Sequence, residues 1–125
     1  MRKNLRQIVF WNIVFSLFCF SGYAQDVAQY SPRKLKALGD NALAIGDTYS
    51  ARNFYKAYCD KKKDPEVMFL LAECYRTARE YIPAATYYDK TYRADKKNLL
   101  ALYHYVEMLK VYGYYDDAIT CFFLF

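Results

Sequence analysis

At 125 residues, a quarter of them charged and a fifth aromatic, the chain allows one small domain and an extra segment. Its net charge of +5 is unevenly placed: Arg2, Lys3 and Arg6 stand in the first 24 residues without an acid, leaving fifteen bases against thirteen acids, or +2, for the rest. So balanced a remainder argues against a nucleic-acid partner, and the densest basic run, Lys61-Lys62-Lys63, lies beside Asp60 and Asp64 as a solvated turn.

The front of the chain has the layout of a secretory signal peptide. After the basic start, an apolar run of 13 residues from Ile8 to Phe20 is interrupted only by Asn12 and Ser16, and Ser21-Gly22-Tyr23-Ala24 supplies a small-x-small cleavage site. The run is shorter than the about 20 residues that span a bilayer. Cys19 follows Leu17 and Phe18 rather than small residues, so it is one more apolar side chain. Residues 1–24 are therefore expected to be a leader, and the protein to be exported to the periplasm or the outer membrane. Cys59, Cys74 and Cys121 remain, without a C-x-x-C pair or zinc-type spacing, and His104 is the sole histidine. A Cys59–Cys74 disulfide is one alternative in an oxidising compartment, and buried thiols are the favoured one. No cofactor or metal is expected.

Residues 25–31 read as a polar lead-in, and six helices come after it in pairs. Ser31-Pro32 opens the first, with a hydroxyl to cap free N–H groups and a proline where no donor is lost. Leu35, Leu38, Ala42 and Ile45 give it an apolar face, Gly46-Asp47 ends it, and Ala51, Phe54, Tyr55 and Tyr58 mark the second helix. Asp64-Pro65-Glu66 repeats the opening, then Met68, Leu71, Ala72 and Tyr75 form one stripe, and Tyr81, Ala84, Ala85, Tyr88 and Tyr92 the next. Asn98 opens the third pair, with Leu102, Tyr105, Val106 and Leu109, a turn at Gly113, and Tyr115, Ala118, Ile119 and Phe122.

Three columns stand in register through these pairs: Gly46, Ala51 and Tyr55; Arg79, Ala84 and Tyr88; Gly113, Ala118 and Phe122. Their steps of 33 and 34 residues define a helix-hairpin array. The alanine lets a partner helix approach, and the aromatic one turn later fills the next gap on the same face. One hairpin cannot bury such a face alone, so neighbours must stack.

These residues resemble the tetratricopeptide repeat, a unit of about 34 residues. The first unit carries the resemblance in Leu35, Leu38, Gly39, Ala51 and Tyr55; the second in Met68, Leu71, Ala72, Tyr75, Ala84 and Tyr88; the third in Leu102, Tyr105, Ala118 and Phe122. Tyr58 stands where alanine is usual, and Tyr105 and Val106 replace the usual leucine and small residue. The fold this implies is all-α: an α-solenoid of about three antiparallel hairpins, 32–64, 65–98 and 99–125, the last incomplete. Because the third unit runs out within its second helix, a fragment of a longer protein is expected. An exported array behind a leader also resembles the N-terminal part of Bacteroidota envelope proteins that continue into an OmpA-like domain, some of them in type IX secretion.

In such arrays the first helices line a concave groove. Carried over, the resemblance places there Arg33, Lys36, Asp40, Leu43 and Ala44; Glu66, Phe69, Glu73, Arg76 and Thr77; and Leu100, Tyr103, Glu107, Lys110 and Val111. Arg33, Lys36, Asp40, Phe69, Glu73, Arg76, Tyr103, Glu107 and Lys110 are the candidate partner-binding residues. A clamp for a C-terminal carboxylate does not fit, since Asp40 would repel it and Leu100 offers no base. Tyr55, Tyr75, Tyr88 and Tyr92 fall on packing positions, whereas Phe69 and Tyr103 fall on the groove. No nucleophile or orienting acid is spaced to make His104 a general base. The expectation is thus a non-catalytic module for a protein or peptide partner in the envelope, with no small-molecule substrate and membrane contact only through the leader or that partner. A structural spacer in a longer protein is the alternative.

Overall fold

A computed structural model describes residues 26–123, without the Phe122 side chain; the expected leader, Leu124 and Phe125 lie outside the described residues. After a 3-10 turn at Val27–Gln29 come six helices: α1 (Pro32–Ala44), α2 (Thr48–Lys61), α3 (Pro65–Thr77), α4 (Tyr81–Ala94), α5 (Leu99–Val111) and α6 (Tyr115–Phe123). Each helix packs chiefly on its neighbours in sequence, α1 on α2, α2 on α3 and so on to α6, and no strand occurs among the described residues. The molecule is an all-helical solenoid whose core runs along the stack.

Each hairpin begins at a cap that the sequence signals. Ser31 accepts from the Lys34 N–H at 3.4 Å, Asp64 from the Glu66 N–H at 3.1 Å, and Asn98 from the Ala101 N–H at 3.0 Å. These side chains satisfy donors that the first helical turn leaves unpaired.

Each hairpin also turns in one way. The N–H groups of Asp47, Glu80 and Tyr114 donate to the carbonyls of Ala42, Tyr75 and Leu109, each at 2.9 Å, closing the six-residue ring of a Schellman motif. That ring needs a left-handed residue, and Gly46 (φ 79°), Arg79 (φ 61°) and Gly113 (φ 83°) supply it. An L side chain there is strained by about 1–2 kcal/mol, so Arg79→Gly, at an exposed site, is expected to raise stability by about 1 kcal/mol after the entropy of glycine is subtracted. Gly113→Ala should lower it by a similar amount, and thermal unfolding of the two variants measures both.

The small and large residues of the first two columns interlock as expected, while the Phe122 side chain of the third lies outside the described residues. Ala51, Ala84 and Ala118 are buried, as are Tyr55, Tyr75, Tyr88 and Tyr92. Gly39 shows how close the approach is: a Cβ there would lie 2.5 Å from Cε1 of Tyr55.

The described structure corrects three parts of the sequence reading. Ile45 is 82% exposed, because the chain has already left the helix toward Gly46. Val67, Ala101 and Met108 are buried although they lie outside the expected stripes, while Cys74 is a buried thiol as expected. Each inner helix contacts both the preceding helix and its own partner, so it needs two apolar stripes rather than one. The lead-in, read as polar, folds back: Val27 and Tyr30 pack on the core, and the Lys61 ammonium donates to the carbonyls of Ala28 and, at 2.7 Å, Tyr30. Lys61 thus leaves the expected solvated turn. The three described cysteines, Cys59, Cys74 and Cys121, are free thiols.

Candidate functional site

The first helix of every hairpin contributes three of the candidate residues, and contacts between those helices bring most of them onto one shared face. On α1, the Lys36 ammonium lies 3.2 Å from Oδ2 of Asp40 and 3.3 Å from Oε1 of Glu66 on α3. The other Asp40 oxygen accepts from the Tyr55 hydroxyl at 2.8 Å. A hydrogen bond to Asp40, opposed by partial burial and aided by Glu66, holds the Lys36 ammonium above its ordinary range. Two of these side chains are well exposed, so solvent screening leaves each pair worth less than about 1 kcal/mol. Their effect is to fix direction: α1, α2 and α3 share one chain of polar contacts.

A second cluster joins α3, α4 and α5. Glu73 accepts from the Tyr88 hydroxyl through one oxygen and from the Arg76 guanidinium through the other at 2.5 Å, while Arg76 Nε donates to the Tyr88 oxygen at 3.1 Å. From α5, His104 reaches both ways, with Nε2 at 3.8 Å from Glu73 and Nδ1 at 3.0 Å from Glu107. Phe69 meets the Tyr88 ring edge-on at 5.7 Å, and Tyr103 meets His104 edge-on at 5.3 Å. Burial disfavours the charge on Glu73, but the bonds from Arg76 and Tyr88 outweigh it and hold the carboxyl below its ordinary range. The same bond to Glu73, against partial burial, raises Arg76.

The structure therefore gathers Phe69, Glu73, Arg76, Tyr103 and Glu107 around Tyr88 and His104, and Lys36 and Asp40 around Tyr55 and Glu66. Arg33 and Lys110 are exposed, and neither makes an ion pair among the described residues. The sequence pattern assigns Tyr55 and Tyr88 to packing and so misses the role of their hydroxyls, and it spaces no orienting acid for His104, whereas Glu107 and Glu73 both lie beside that ring. A signal was present: Tyr55 follows Asp40, and Tyr88 follows Glu73, by the same 15 residues.

Chemically this face presents aromatic surface beside paired charges, with its carboxylates already engaged. The thiols are poor nucleophiles, since burial pushes Cys59 and Cys74 up to about 11. Burial first, and hydrogen bonding to Asp40 or Glu73 second, raise the Tyr55 and Tyr88 phenols above their ordinary 10.0. A phenol that ionises more readily unfolded than folded stabilises the fold fully below pH 10.0 and progressively less above it. Burial also raises the Tyr58 phenol, to about 12, so alkaline titration should show a group of late phenols, Tyr55, Tyr58 and Tyr88 among them, ionising together with the loss of helix, read by ultraviolet absorbance of the phenolates and circular dichroism in parallel.

No protein-family model matches the sequence, and no curated protein does either. Among solved structures, the chain is similar to the crystal structure of MamA, a protein containing tetratricopeptide repeats, with a TM-score of 0.65 at 18% identity. The alignment covers 73% of this chain and 54% of that one, so the chain spans about half the length of MamA. At that identity the likeness carries the fold alone. The fold is that of a tetratricopeptide-type α-solenoid.

Proposed function

We propose that the chain is a non-catalytic, exported interaction module of the bacterial cell envelope that binds a peptide or helix along the face shared by α1, α3 and α5. The observation that carries this reading is the cluster on α3 and α5, where Phe69 and Tyr103 offer aromatic surface beside Glu73, Arg76 and Glu107, whose orientations are fixed by Tyr88 and His104. Aromatic anchors next to oriented charges are the common make-up of binding hot spots. The layout of residues 1–24 supports export.

Two measurements test it. A fusion of residues 1–30 to a reporter active only outside the cytoplasm should be active. Protein beginning at Gln25 should retain a discrete envelope partner, and Tyr103→Ala should weaken that complex about tenfold, near 1.4 kcal/mol. A retained fraction that ignores Tyr103→Ala, Lys36→Glu and salt would sink the reading.

A second reading, a spacer or assembly segment of a longer OmpA-like or secretion-system protein, is favoured by the exposed apolar face of α5 and α6. A continuing reading frame that encodes such a domain would support it.

A further inference from the structure

Arg52 of α2 occupies the junction between the first and second hairpins. Its guanidinium pairs with Glu80 and lies over two rings, 5.0 Å from the centre of Tyr49 and 5.5 Å from that of Tyr75, with the side chain only 17% exposed. At the next junction the repeat puts Ala85 in its place, one residue after the column alanine Ala84 as Arg52 is one after Ala51. Ile82, Leu109 and Tyr114 then stand for Tyr49, Tyr75 and Glu80. Between α4 and α5 the short side chain leaves an open groove of about 260 Å³.

The walls of that groove suit a cation. Tyr81, Tyr105, Tyr112 and Tyr114 line it, and Asp89 is its one charged side chain among the described residues. Tyr112 and Tyr114 stack with their centres 6.1 Å apart and stay half exposed. A ring face attracts a cation, and a guanidinium can also lie flat on it. Where α2 pairs Lys56 with Asp60, α4 pairs Asp89 with Arg93, the same two positions with the signs exchanged. The second junction has thus lost a base and gained an acid. The Arg93 side chain is 72% exposed, so it can yield Asp89 to an entering cation. The volume lies below the about 300–1,000 Å³ of pockets for drug-sized ligands, which suits one side chain rather than a helix.

We infer that the α4–α5 groove is a binding site for the guanidinium of an arginine side chain carried by a peptide partner, held against the tyrosines and Asp89 as Arg52 is held against Tyr49, Tyr75 and Glu80. The site is separate from the face proposed above, because its walls include none of Phe69, Glu73, Arg76, Tyr103 or Glu107. Nor is it a gap that a succeeding hairpin closes: the first junction has α5 and α6 stacked beyond it, and there the equivalent space is taken by Arg52.

The probe is the blocked tripeptide acetyl-Gly-Arg-Gly-amide, titrated into the full chain and followed by NMR. Saturable binding is expected, at least about tenfold tighter than that of the same peptide with citrulline, which keeps the shape and loses the charge. Tyr114→Ala and Asp89→Asn should each weaken it about fivefold while keeping wild-type circular dichroism. Ala85→Arg, which supplies in cis the side chain of the first junction, should abolish it. Tyr103→Ala should leave it unchanged, so failure here and failure of the function proposed above are told apart. No saturable binding, equal affinity for arginine and citrulline, or binding indifferent to both Tyr114→Ala and Asp89→Asn overturns the inference. So does binding that appears only after residues 1–24 are removed, which would make Arg2 or Arg6 of the leader the occupant.

Discussion

Gly39→Ala should lower the stability of the solenoid by about 3 kcal/mol, at the upper end of the usual range for overpacking a close-packed core. The added methyl would meet three atoms of the Tyr55 ring, the nearest at 2.5 Å and the farthest at 3.0 Å. That ring is fully buried, and its hydroxyl is tied to Asp40, so it cannot swing aside without giving up a hydrogen bond. Helix α1 must instead move off α2. For a domain of this size the midpoint of thermal unfolding should fall by more than about 10 °C. The equivalent position in the second hairpin is Ala72, which bears that methyl in a fully buried setting, so Ala72→Gly provides the reverse comparison, with an expected loss of about 1 kcal/mol from helix propensity.

Tyr88→Ala should be costlier still, about 4 kcal/mol, as for large aromatic truncations in cores. Tyr88 is fully buried, touches Phe69 and His104 through its ring, and donates to Glu73 while accepting from Arg76. Its removal opens a cavity and releases two charged partners at once. Tyr88→Phe separates the parts, keeping the ring and losing only the hydroxyl, with an expected cost of about 1–2 kcal/mol. Denaturant unfolding of the pair measures the difference. If Tyr88→Phe matched Tyr88→Ala, the packing account of this column would be wrong. Because contacts run between neighbours, the loss at α4 should uncouple the hairpins on either side and broaden the transition.

Much of the fold was legible because its signals are local. Caps at Ser31, Asp64 and Asn98, turns at Gly46 and Gly113, and the alanine and aromatic columns each depend on a few adjacent residues. Even Arg79 was placed in the glycine column by spacing alone, although its side chain argues against a left-handed residue. Less legible was whatever depends on contacts between hairpins. The buried Val67, Ala101 and Met108 belong to a second stripe that only the stack reveals, and the capture of the lead-in by Lys61 spans 31 residues. The candidate face was legible as a set of positions, not as a network. Their repeat positions make Asp40 and Glu73 groove charges facing a partner, yet both spend an oxygen on a buried tyrosine. Sequence spacing places a side chain on a helix face; it does not say which neighbour claims it.

The acid–tyrosine contacts make the face unequal along its length. Asp40 and Glu73 are each braced from below by a phenol rooted in the core, so their carboxylates hold one orientation whatever lies above them. At the third hairpin the matching residue is Phe122, which has no hydroxyl to offer, and among the described residues Glu107 is steadied by His104 on its own helix. A ligand lying along the three hairpins would meet a rigid template at one end and an adjustable carboxylate at the other. Selectivity would then be set early in the array, and tolerance for different sequences would reside at its far end.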